Sequence, residues 1–407
     1  MRNVRYTMKR QLMNAVAGAL TLSIALGAGS AASAGGAASA AARTLPAPRA
    51  AAAGYRLADE KQAASRAKGK ARAGGSVRVA GRTGTLAGAT FTAAGAGRAA
   101  VHTLDAARVT LTGCVIRKHG TGAAVLAGAP SVIALNGCAV TTDGGAHGIV
   151  AAGPGSDVRI ANSTIRTAAG THAALAAGGG QITLENVNVA GGGLRGGRLA
   201  VRGGTIAADG SPVLQSDGLI TVQGVTGGTA GGLPAAAIDG GHAIDAIDTD
   251  LTGSAGVLFT GTAGTASYTM SGGSLTAAAG PAFEVRGATA RVSVRGAATI
   301  AARDGVLARV SDGGTLTLTA SGQGLRGDVL STGGSSAALT LRHGSTLTGT
   351  ITNGALELDA GSTWYVTGDS TLTRLTGAAG GIVSNGHTVR LAGGAVLIPQ
   401  NGNQPSL

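Results

Sequence analysis

Cys114 and Cys138, seven histidines and one short acidic run are the residues of this 407-residue chain best suited to chemistry. Two thiols can bridge or lie side by side, but alone they do not fill a tetrahedral metal site. His102, His119, His147, His172, His242, His343 and His387 include no His-x-x-x-His pair of the helical zinc kind. The densest carboxylates are Asp245, Asp248 and Asp250 in IDAIDTD, which reads as a solvated acidic loop, with a calcium or sugar site as the sharper alternative. Cutting a polysaccharide calls for clustered carboxylates, or a carboxylate beside Arg or Lys, on one face. With 19 acidic residues spread along the chain, no such cluster is evident. There is no nucleophile elbow and no phosphate loop. The expectation is a non-enzymatic protein without cofactor or metal, and a polysaccharide-acting enzyme is the alternative. LRGDVL contains the adhesion tripeptide Arg326-Gly327-Asp328, although Gly-Asp also suits a plain turn.

The elements that would hold these residues follow from a repeat. Aligned on the apolar residue ending each short alternation, the chain gives Leu86, Leu111, Leu135, Ile160 and Leu184. Two residues on stand Gly88, Gly113, Gly137, Asn162 and Asn186, and five residues on stand Phe91, Ile116, Val140, Ile165 and Val189. The column weakens at Val201 and Val222, where GGTAGGLPAAAIDGGHAIDAIDTD reads as looser loops. It returns at Met270, Val294, Leu318 and Leu341.

Alternation at period two over four to six residues, broken by Gly, Asp, Asn and Ser, is a strand signal, and a period of 20 to 25 residues is a solenoid signal. Leucine-rich repeats need more Leu columns than this chain offers. The expected fold is all-β: a single-stranded, right-handed parallel β-helix with coils of about 24 residues, each of three short strands stacked about 4.8 Å apart. A narrow interior of Val, Ile, Leu and Ala explains why aromatics are only 2% of the chain. Asn162 and Asn186 suit an inward ladder bonding adjacent coils, or plain turn formation. Cys114 and Cys138 fall at equivalent positions of adjacent coils, where a disulfide and a pair of unbridged thiols are both compatible with the spacing.

Export is written into the first residues. Arg2, Arg5, Lys9 and Arg10 precede an apolar run from about Leu12 to Leu26, followed by Ala32-Ser33-Ala34. This is a secretory signal peptide, 1–34, with an amino-terminal anchor as the alternative. Residues 35–75 form an Ala/Arg-rich leader, flexible or a short helix; 76–395 the β-helix; and 396–407 a flexible tail. No later stretch is long and apolar enough for a transmembrane helix, so the mature chain is expected to lack a transmembrane domain. Export argues against nucleic acid as partner, and the formal charge of +13 reads as surface solvation.

Residues 339–383 resemble the passenger region of pertactin-like autotransporters. The blocks that carry this are Gly344-Ser345-Thr346-Leu347-Thr348-Gly349, Leu358-Asp359-Ala360-Gly361-Ser362-Thr363-Trp364 and Val366-Thr367-Gly368-Asp369-Ser370-Thr371-Leu372. The resemblance implies a surface-exposed or released, virulence-associated β-helix, often an adhesin. Its partner would be a host cell-surface protein or glycan. It also implies that Gly327-Asp328 is a family turn and that Trp364 packs at a coil boundary. Such passengers continue into a carboxy-terminal transmembrane β-barrel, for which no room remains after residue 395. The expectation is a passenger with a separate outer-membrane exporter, a secreted β-helix, or a truncated passenger held in the periplasm.

Overall fold

In the computed structural model, the described residues are 75–377 and 379–398. They form an all-β parallel solenoid of about 12 turns, with stacked coils about 24 residues apart. The expected signal peptide, nearly all of the leader and most of the tail lie outside the described residues. Most of the +13 formal charge also precedes residue 75, so the solenoid itself is close to charge balance.

Each coil gives one strand to each of three faces. In the amino-terminal coil these are Val77–Ala80, Thr83–Ala87 and Thr90–Ala93. They pair in parallel with Val101–Leu104, Arg108–Thr112 and Val115–Lys118 of the next coil. The alternation sets the burial: in Arg108–Thr112, Val109 and Leu111 point inward while Arg108, Thr110 and Thr112 face solvent. One continuous apolar cluster runs from Val79 to Val389.

Leu86 pairs with Leu111, Leu111 with Leu135, Leu135 with Ile160 and Ile160 with Leu184. Phe91, Ile116, Val140, Ile165 and Val189 form a second in-register column. The repeat does not lapse after Leu184. The column continues through Val201, Val222 and Ala246 to Met270 and Val294. The stretch expected to be looser loops contains the strands Ala236–Asp239 and Ala243–Gly253. Coil length hides this, because the coil from Leu184 to Val201 is much shorter than its predecessors. Val294 then pairs with Ala320 rather than Leu318, which stacks between Val292 and Leu339 two positions away on the same face. The last strand, Val396–Ile398, lies in the expected tail and pairs antiparallel with Val389–Leu391.

The narrow-interior argument needs adjustment. Phe91, Phe259, Tyr268, Phe283 and Trp364 are all buried, and Tyr268 packs against Phe283 at a ring-centroid distance of 6.3 Å. Phe283 stacks between Val257 and Ala308, and the other rings stack on Ile, Val or Leu, as Tyr268 does between Ile244 and Val292.

The corner between the second and third faces has one rule. Two residues past every anchor from Leu86 to Leu341, φ is positive, between 45° and 74°. Gly, Asn, Asp and His343 fill this position, and a β-branched side chain is strained there. Replacing Asn162 by Gly should leave the urea midpoint nearly unchanged, while Asn162→Val lowers stability by about 1–2 kcal/mol. Gly192→Ala should be worse than either, because a Cβ there would sit 2.0 Å from the Thr171 carbonyl oxygen. Urea unfolding followed by circular dichroism checks this order.

Candidate functional site

The residues singled out by sequence do not converge on one cleft; the fold distributes them over corners and faces. Asn162 and Asn186 are exposed, not inward. They occupy the left-handed corner, with φ of 49° and 52°, and Asn162 Nδ2 donates to Asn136 Oδ1 of the preceding coil at 3.2 Å. The inward corner ladder begins with the next residue. Ser163 Oγ accepts the Cys138 N–H at 3.0 Å and donates to the Ala161 carbonyl. Thr249 repeats both contacts, and Ser345, two residues past its corner, accepts the Gln323 N–H and donates to the Arg342 carbonyl. A short hydroxyl therefore satisfies the amide left unpaired where the ladder turns.

Cys114 and Cys138 stand in that ladder position, 1% and 2% exposed, and both are free thiols. Cys138 Sγ points to the Leu111 and Asn136 carbonyls, both at 3.5 Å, and Cys114 Sγ to those of Leu86 and Thr112. The sulfurs thus copy the contact that Ser163 makes with the carbonyl two residues back. A hydrogen bond between the two thiols, with burial adding to it, pushes Cys138 upward and keeps it protonated.

Two buried groups were missed in the sequence. Lys118 is fully buried at an inward position, and its Nζ donates to the carbonyls of Gly95 at 2.6 Å and His119 at 2.5 Å. Burial lowers its pKa, against the opposing pull of Asp143. The ammonium staples two successive turns at the corner between the third and first faces. At the opening of the first face, His147 and His172 of adjacent coils stack with ring centroids 5.2 Å apart. His147 Nδ1 accepts the His172 backbone N–H at 3.1 Å. Their spacing equals one coil, a signal readable only once the repeat is known.

The acidic run is split by the fold. Asp245 lies on the second face between Thr221 and Thr269, Asp248 at the corner, and Asp250 on the third face between Thr226 and Ser274. Among the described residues, no group of three or more His, Cys, Asp and Glu is placed to hold a metal ion. Arg326 ends a strand and is exposed, but Gly327 and Asp328 form a tight corner. Asp328 Oδ1 accepts the Thr350 N–H at 2.8 Å, and a Cβ on Gly327 would lie 2.7 Å from the Leu307 nitrogen. The tripeptide is held down by the next coil rather than projected from a loop. In the late blocks, Trp364 sits inward between Leu347 and Ile382, and its Nε1 donates to the Gly349 carbonyl at 2.9 Å.

What faces solvent is a set of columns. Thr205 bonds to Asn188 at 2.9 Å and Ser274 to Asp250 at 2.6 Å on the third face, each across one coil step. A shallow depression of about 420 Å³ lies beside Thr205, Thr226 and Thr229. No described helix is long and apolar enough to cross a membrane. No family model and no curated protein matches the chain.

Two outcomes follow. A thiol reagent should modify neither Cys114 nor Cys138 in the folded protein and both after denaturation; rapid native labelling, or a missing thiol after denaturation, contradicts the arrangement. The second concerns acid. Burial first, then His147 and Arg195, pushes His172 down to about 3, and burial and Arg195 lower His147. The folded state keeps these rings neutral, whereas the unfolded chain takes up protons near pH 6.5. Stability from this source is complete above about pH 6.5 and is lost as pH falls toward about 3. Two pH units correspond to about 2–3 kcal/mol. Urea midpoints between about pH 6.5 and 4.5 should fall more steeply in the native protein than in a His147→Gln, His172→Gln variant.

Proposed function

We propose that the chain is an exported, non-enzymatic β-helical passenger that acts as an adhesin at the cell surface or outside the cell. The observation that supports this reading best is the outer surface. Over one continuous apolar interior, stacked columns of hydroxyl, amide and guanidinium groups face outward along the solenoid. A long rigid surface of this kind offers many weak polar contacts to a partner rather than one enclosed pocket.

The amino-terminal export signal and the resemblance of residues 339–383 to pertactin-like passengers support the same reading. The partner class is a host cell-surface protein or glycan. Adhesion through Arg326-Gly327-Asp328 is the weaker version of this proposal, since the Asp328 carboxylate is engaged with Thr350. Contact would instead come from the lateral faces.

Fractionation of the native cell with externally added protease tests the reading. Cleavage of the chain in intact cells, or its recovery from the medium, is the expected result. Full protection in the periplasm of intact cells would overturn it.

A further inference from the structure

The second face carries a charge pattern that is complementary to itself. Between Arg202 and Arg286 the chain has neither Lys nor Arg, and the acidic run lies inside that gap. On the second face the register stacks Arg198 and Arg202 on one coil, beneath Leu219 and Gln223 on the next. One coil further stand Ala243, Asp245 and Ile247, followed by the corner residue Asp248. Arg198, Arg202 and Asp248 are exposed. None of the six described ion pairs uses Arg198, Arg202, Asp245 or Asp248.

Leu219, midway between the Arg coil and the Asp coil, is 46% exposed, and Ile247, one coil on and four residues further along the strand, is 37% exposed. Few large apolar side chains of this solenoid face solvent to that degree, and these two sit on adjacent coils of one face.

We propose that this face binds a second copy of the chain, antiparallel and face to face, about a two-fold axis through the coil of Leu219. The geometry follows from the register. Such an axis sets the coil before Leu219 in one copy against the coil after it in the other. Arg198 and Arg202 then meet Asp245 and Asp248 of the second copy, and the same contacts recur on the other side of the axis. Leu219 meets its own counterpart, and Ile247 meets the aliphatic stem of Arg202. Farther out, the coil of Asp157 lies opposite the coil of Arg291, and Glu185 lies opposite the hydroxyl row of Ser267, Thr269 and Ser271.

No other alignment of the two copies that centres on an exposed aliphatic does this. An axis through the coil of Ile247 would set Arg198 and Arg202 against Arg291 and Arg295. Seven coils at about 4.8 Å by a strand width of about 17 Å give an area of roughly 600 Å² per copy. That is below the usual ~800 Å² per partner and predicts a reversible, salt-sensitive dimer.

Sedimentation velocity of the full chain tests this. At low salt a concentration-dependent dimer is expected, weakened at least about tenfold when ionic strength rises from about 0.05 M to 0.5 M. An Arg198→Asp, Arg202→Asp variant and an Asp245→Arg, Asp248→Arg variant should each be monomeric, and their equimolar mixture should dimerise. Leu219→Cys should give a disulfide-linked dimer under mild oxidation. Unchanged circular dichroism in each variant separates loss of contact from loss of fold. A wild-type chain that stays monomeric at low salt, a dimer indifferent to both charge reversals, or a mixture that remains monomeric would each overturn the proposal.

Discussion

Everything in this molecule depends on a corner that turns with a positive φ once per coil. A parallel ladder leaves no choice of register: if one coil turns early, every inward side chain beyond it is thrown to the wrong face. The left-handed residue after each anchor fixes where the second face ends, from Gly88 through Asn162 and Asp248 to His343. At three coils a hydroxyl just past the turn, on Ser163, Thr249 or Ser345, accepts a backbone N–H of the preceding coil. Conformation comes first, and the side-chain ladder is built on it. That order explains why Gly and Asn interchange at the corner while the buried position beside it ranges from Ala89 and Cys114 to Val187 and Gln323.

Much of this was legible in the sequence because the anchor column is apolar, evenly spaced and coupled to a second column five residues on. The part that was not legible failed for two physical reasons. Coil length varies while the inward columns stay in register, so a fixed period loses Val201 and mistakes Leu318 for Ala320. Side-chain direction at the corner is the second: of the two readings open for Asn162, inward ladder or turn former, the turn former holds, because the residue at positive φ faces outward and Ser163 makes the inward contact. Lys118 was invisible for a different reason: nothing in a single strand marks a lysine whose ammonium finds two turn carbonyls on adjacent coils.

The chemistry-bearing residues illustrate the same principle from the other side. Cys114 and Cys138, Asp245 with Asp248 and Asp250, and Arg326 with Asp328 are each close in sequence or in repeat position, yet the solenoid assigns them structural tasks or different faces. A short coil rotates neighbouring residues through a large angle, so proximity along the chain says little about convergence. What does converge is what the register stacks: His147 on His172, hydroxyl on carboxylate, and arginine beside leucine. A surface made this way is read along its axis, coil by coil, rather than at a point.

Among the described residues, the one antiparallel pairing, between Val389–Leu391 and Val396–Ile398, carries a consequence of its own. A parallel ladder can extend only if the next strand runs in the same sense, and an exposed edge of that kind is a template for any similar chain. A reversed strand breaks the template. On this face the parallel stacking ends at the reversal. A duplicated coil inserted upstream would lengthen the solenoid by about 4.8 Å and leave this reversed strand in place.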